Sequence, residues 1–265
     1  MRHLRPVDNT EAERPRGLGF VETPGAKRMA DYLTRAVTQH QIGIISGPTG
    51  SGKTVRARAW REAQDDPREI SIIPIYEGEG DVKAAVKTLC RAFGIPCDRS
   101  GPESWRAEIV YTLRHYPRSR AVILDEAQFL TRPAVGHLRQ LVHDEAGVAL
   151  ILMGDTRLPD LLKGLDAITG RALRPFILPG AEAADVRAMA EAARLVGLHD
   201  KEDAEAQEAV KDLLRAASGD KRLRIVWQVL DTALRAADGA PLTARHIGWA
   251  LKECGEAITG KGKGK

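Results

Sequence analysis

The run Gly47-Pro48-Thr49-Gly50-Ser51-Gly52-Lys53-Thr54 combines the residue types that the phosphates of a nucleoside triphosphate require. Glycines at 47, 50 and 52 let successive backbone N–H groups curl around oxyanions, Lys53 reaches the β- and γ-phosphates, and the Thr54 hydroxyl is a ligand type for Mg²⁺. The apolar residues Ile42 to Ile45 read as a strand entering this loop, and the residues after it read as a helix. Phosphates held there would face a helix N-terminus, where unpaired N–H groups and the helix dipole favour anions. All eight residues, 47 to 54, are therefore candidate nucleotide ligands.

A second constellation closes the apolar run 121–124 with two carboxylates, Asp125 and Glu126. Read as a parallel neighbour of the first strand, this segment brings both carboxylates beside the phosphates. Asp125 then suits a Mg²⁺ ion, shared with Thr54, and Glu126 suits the polarisation of an attacking water. Lys53, Asp125 and Glu126 form the candidate catalytic core.

These residues need strands to carry them. Apolar runs at 42–46, 70–75, 121–124, 148–153 and 175–178 alternate with amphipathic stretches long enough for crossover helices. That alternation predicts an α/β fold, a five-stranded parallel sheet flanked by helices, over residues 21–180. Beyond 180 the strands stop, and helical patterns at 182–196, 203–217, 221–237 and 243–254 predict an all-helical lobe over 181–255. Gly197, Gly219 and Gly239 read as helix stops, and Thr243 as the N-cap of the last helix. Residues 1–20 and the Lys-rich 256–265 read as a flexible arm and a basic flexible tail, leaving no room for an N-terminal DNA-binding domain.

Composition sets outer limits. Forty Lys+Arg against 36 Asp+Glu give a net charge of +4, too little to establish nucleic-acid binding without a clustered distribution. Cys90, Cys97 and Cys254 have neither metal-ligand nor paired spacing, which fits a reducing compartment. No stretch approaches the ~20 apolar residues of a membrane span, so a cytoplasmic protein without a membrane partner is expected. With 5% aromatic residues there is no base-stacking platform for single strands. Trp60, Trp105, Trp227 and Trp249 fall within helical apolar patterns and are expected in the core, as is Cys90.

Taken together, the loop and the Asp125-Glu126 pair resemble the AAA+ ATPases, and further positions are similar to that family's motifs. Asp155, in Met153-Gly154-Asp155-Thr156, stands where the family has a polar γ-phosphate sensor, often Asn, and is favoured by position; because its charge would face phosphates, either Thr156 does the sensing or Asp155 holds the attacking water or a neighbouring Arg. Arg171 and Arg174 stand where relatives project an arginine finger into the next subunit's nucleotide. Gly219-Asp-Lys-Arg222 resembles the second sensor motif, which implies a nucleotide contact for Arg222. Asp125-Glu126-Ala127-Gln128, the helical lobe and the short chain look like the branch of phage Mu B-type transposition ATPases with TniB, TnsC and ExeA relatives, and Phe20-Val-Glu-Thr-Pro is also similar. The resemblance covers residues 20–255 and implies ATP and Mg²⁺ as cofactors, a homo-oligomer or helical filament on double-stranded DNA, non-specific target choice and stimulation of a partner transposase.

Non-specific duplex binding needs Lys and Arg facing phosphates. Lys83 and Lys87, one helical turn apart, and Arg132 and Arg139, on the helix after the acidic strand, are the candidates. Two other readings remain open at this point: an ExeA-like or signalling ATPase acting on a protein partner without DNA, and a nucleoside kinase.

Overall fold

The computed structural model describes residues 18–97, 102–115, 119–218 and 223–258. Along the chain come α1 (Pro24–Thr38), β1 (Ile42–Ser46), α2 (Lys53–Glu62), β2 (Ile70–Pro74), α3 (Val82–Ala92), α4 (Pro102–His115), β3 (Ala121–Asp125), α5 (Arg132–Leu138), β4 (Ala149–Gly154), α6 (Leu158–Leu162), α7 (Asp166–Thr169) and β5 (Phe176–Ile177). Helices α8 (Ala183–Ala192), α9 (Ala204–Ala217), α10 (Leu223–Ala237) and α11 (Ala244–Ile258) follow. Two compact units result.

The first contains Met29–Gly47 and Lys53–Leu178. Its strands are all parallel in the order β2-β3-β4-β1-β5. Every residue of β1, β3 and β4 is buried, as expected for a parallel sheet covered on both faces. Successive side chains on a strand point to opposite faces. Accordingly Val122, Leu124, Leu150 and Leu152 pack with α3, α4 and α5 residues such as Leu89, Ile109 and Leu138. Ile123, Ile151 and Met153 pack on the other face with Met29, Leu33, Ala57 and Trp60. Helix α5 runs on into a π-helical segment, Arg139–Glu145.

All five strands form where the apolar runs predict them, but one expected adjacency is wrong: β4 lies between β1 and β3. Parallel neighbours are chosen by the long crossover connections, and these leave no local pattern. β5 is only two residues long because Pro175 and Pro179, lacking N–H groups, bracket it.

The second unit contains residues 18–28, Pro48–Gly52 and 179–258 among those described. Helices α8 to α11 enclose their own core, built on Val186, Leu213, Val226, Val229, Leu230 and Ile247. Leu18 belongs to that core at 8% exposure, which corrects its assignment to the N-terminal arm. Its backbone N–H donates to Asp231 Oδ1 at 3.1 Å and its carbonyl accepts from Trp227 Nε1 at 2.8 Å. Two more carboxylates hold the start of α1: Asp185 accepts from the Gly25 N–H at 2.8 Å and Glu182 pairs with Arg28. Helix α8 stops earlier than predicted, because Arg194 turns into the left-handed region at φ 58°. Gly219 and the tail from 259 lie outside the described residues.

Trp60 and Trp105 are core residues as expected, and Cys90 is fully buried, its thiol pushed up to about 12 by burial and by the neighbouring Cys97. Trp249 is not a core residue: it is 47% exposed. The buried stripe of α11 runs through Ile247, Ala250, Leu251 and Cys254, and a residue two beyond Ile247 falls about 200° round the helix from it. Among the described residues, no helix is long and apolar enough to cross a membrane.

Candidate functional site

In the first unit β1 ends at Ser46, and α2 begins at Lys53. Lys53 is buried, and its ammonium donates to the Gly47 carbonyl at 2.8 Å. Burial lowers the Lys53 pKa, against the opposing pull of Glu126, Asp125 and Asp155, all close enough to act on it. The loop itself, Pro48–Gly52, is grouped with the second unit. Gly50 and Gly52 have φ of 81° and 87°, left-handed values at which a side chain is strained. Ser51 Oγ is buried there without a hydrogen-bond partner among the described residues, and the Gly50 carbonyl accepts from the Arg224 N–H at the start of α10, at 3.1 Å. An anion seated in the turn is the kind of partner such an orphaned hydroxyl lacks.

Thr54, on the first turn of α2, donates its hydroxyl proton to Asp125 Oδ2 at 2.6 Å. The other Asp125 oxygen accepts from the Glu126 N–H at 3.0 Å. Asp125 is 5% exposed, and no Lys or Arg among the described residues forms an ion pair with it. Its carboxyl pKa is raised, first by burial and also by the Glu126 charge, with the Thr54 hydroxyl and Lys53 pulling the other way. A buried carboxylate and a hydroxyl in contact form a hard oxygen donor set that fits Mg²⁺.

Glu126 follows β3 in the left-handed region, φ 57° and ψ 36°. For a non-glycine residue that conformation costs about 1 kcal/mol or more and gathers at functional sites. Its Oε2 accepts from Gln128 Nε2 at 2.5 Å. Asp155, just past β4, is held by Arg157 through both the backbone N–H (2.8 Å) and the guanidinium (2.9 Å). Burial opposes ionisation of Asp155, but these Arg157 contacts outweigh it and lower its pKa. The Arg157 guanidinium also lies 5.4 Å from the Phe129 ring centroid.

The structure thus gathers Lys53, Thr54, Asp125, Glu126 and Asp155, even though β4 separates the strands that carry the loop and the acidic pair. Arg171 and Arg174 stand apart. Arg171 pairs with Asp144 at 3.3 Å, Arg174 is exposed, and among the described residues neither has a bond to that group. Arg222 lies outside the described residues. Of the basic candidates, Lys83 is exposed on α3 and Lys87 sits 6.0 Å over the Trp105 ring. Arg132 caps carbonyls of Leu161 and Lys163, while Arg139 pairs with Asp144. Sequence reasoning gave no role to Gln128 or Arg157; the two-residue offsets Glu126/Gln128 and Asp155/Arg157 at strand ends were the available signal.

Residues 35–162 match a family described as an AAA domain. The chain is 28% identical over 194 residues to the ATP-dependent target DNA activator B of Escherichia phage Mu, covering 70% of this chain and 60% of that protein. It is also 28% identical over 199 residues to the activator B of Escherichia phage D108, covering 72% and 61%. The aligned part of the chain therefore spans about 60% of the length of these relatives. Among solved structures, Cdc6p of Pyrobaculum aerophilum superposes with a TM-score of 0.64 at 17% identity, covering 91% of this chain and 70% of that one. The Aeropyrum pernix ORC2 protein, solved as ADPNP-ADP complexes, gives 0.62 at 18% identity, with 92% and 70% covered. At such identities the likeness is one of fold.

Proposed function

We propose that this chain, which matches an AAA domain over residues 35–162 and is 28% identical to two target DNA activators, is an AAA+ ATPase of the Mu B type that hydrolyses ATP and uses that cycle to assemble on double-stranded target DNA and activate a partner transposase. The observation that carries this reading is the 2.6 Å contact between Thr54 and Asp125, in a chain whose relatives are named ATP-dependent target DNA activators.

The backbone of residues 47–52 and the Lys53 ammonium hold the phosphates. Thr54 and Asp125 hold Mg²⁺, which neutralises charge on the phosphate oxygens when bound. Glu126 takes the proton of the attacking water as general base. Asp155, its charge matched by Arg157, occupies the γ-phosphate sensor position, and Arg222 the second sensor position. Arg174, exposed and outside any ion pair among the described residues, is the better placed of the two finger candidates, since Arg171 is engaged by Asp144. A finger acting on a neighbouring subunit requires a homo-oligomer.

For DNA, Lys83 and Lys87 are the preferred contacts. Arg132 and Arg139 already serve intrachain partners. Such contacts give sequence-blind affinity that falls with salt.

Two measurements test this. Phosphate release from ATP with Mg²⁺ should occur in the parent and drop about 10²-fold or more in Glu126→Gln, with ATP still bound; equal rates would reject the base assignment. A gel shift on arbitrary duplex DNA should appear at low salt with a nonhydrolysable ATP analogue. No shift under those conditions would reject the DNA reading while leaving the ATPase reading intact.

A further inference from the structure

We infer that Gln128 is a positioning residue, a rung that fixes the Glu126 carboxylate against the end of β4. The inference rests on the reading of Glu126 as general base. The 3₁₀ turn Ala127–Phe129 carries the Gln128 side chain back toward both groups. Its Nε2 donates to Glu126 Oε2 at 2.5 Å, and its Oε1 accepts from the Asp155 N–H at 3.0 Å.

The two contacts fix the amide's orientation. Left to itself, a glutamine amide can be placed either way round. A backbone N–H only donates and an ionised carboxylate only accepts, so Oε1 must face Asp155 and the NH₂ group must face Glu126. The end of β4 is shaped to admit this side chain: a Cβ on Gly154 would lie 2.6 Å from Gln128 Oε1 and 3.2 Å from Leu158 Cβ. Glycine at 154 therefore leaves the space that the rung fills.

The arrangement does for the carboxylate what backbone geometry alone does not. Glu126 starts from a left-handed backbone, and its side chain retains rotamer freedom that Gln128 removes by holding Oε2. Oε1 is left to receive the water's proton. Because the far end of the rung is the Asp155 N–H, the position of the base is tied to the strand end that carries the sensor position. Small misplacement of a catalytic group costs up to about 10²-fold in rate.

The test is steady-state ATP hydrolysis by the full chain with Mg²⁺, for the parent, Gln128→Met, Gln128→Glu, Glu126→Gln and the Gln128→Met/Glu126→Gln pair. Gln128→Met keeps the length and loses both hydrogen bonds. Gln128→Glu keeps the acceptor for Asp155 and sets an anion against Glu126, so it also serves if the Met variant does not fold. Each should lower kcat about 10- to 100-fold with KM for ATP unchanged. In the Glu126→Gln background, Gln128→Met should change the residual rate less than about twofold, since a positioning residue has nothing left to act through. Parental kcat in both Gln128 variants, or an undiminished loss in the Glu126→Gln background, overturns the rung while Glu126 stands. Parental kcat in Glu126→Gln overturns the base assignment and the rung with it.

Discussion

Buried carboxylates occur in both units, and they are satisfied in opposite ways. In the helical unit Asp231 accepts from the Leu18 N–H and pairs with Arg235 at 3.0 Å, and Asp185 accepts from the Gly25 N–H. In the α/β unit Asp125 has a hydroxyl and its neighbour's N–H, but no ion-paired side chain among the described residues. The lobe spends its buried charge on holding the chain together, whereas the sheet edge keeps one whose natural complement is a cation from outside. Burial of an acid is thus no mark of a site; the kind of partner it lacks is.

The sharpest break would come at Lys53. Lys53→Ala should abolish detectable binding of a fluorescent ATP analogue without unfolding the chain, which circular dichroism would check; retained affinity would remove the phosphate site from the α/β unit. Next in size, Asp231→Ala should destabilise the protein by about 2 kcal/mol, because it strands the buried Leu18 N–H. Thermal melting would report it as a lower Tm with ATP hydrolysis preserved.

Asp125→Asn should do the reverse: raise stability at pH 7 by about 1 kcal/mol while hydrolysis is lost. The direction follows from its raised pKa. A carboxyl that binds its proton more readily folded than unfolded is a penalty above its folded pKa, relieved as pH falls toward the unfolded value near 3.8. The gain from Asp125→Asn should therefore shrink between neutral pH and pH 4; a gain that grew on acidification would contradict the comparison. Smallest of all, Trp249→Ala should shift stability by no more than about 0.5 kcal/mol, since an exposed residue of α11 belongs to neither arrangement; a larger drop in Tm would place it in the lobe's core.

What was legible in the sequence divides along the same line. The loop at 47–54 and the pair Asp125-Glu126 are contiguous, so residue type and spacing alone mark them, and short continuous apolar runs and 3.6-residue patterns mark the strands and helices that carry them. The seat of Leu18 was invisible because its partners are 209 and 213 residues away. Similarly, nothing local says that β4 separates β1 from β3, since strand order is decided by how crossovers wrap. Gln128 was read as part of a family string, and its role emerges only when the backbone of Asp155 is seen on its other side.

The bond from the Arg224 amide to the Gly50 carbonyl gives the loop a built-in tracer. That amide can trade its proton for deuterium only when the turn lets go, so the exchange rate of one backbone position counts how often residues 48–52 loosen. A nucleotide that stiffens the turn should slow that one clock more than those of amides in mid-helix α10, and an unchanged ratio would mean that the turn is already as tight as it becomes.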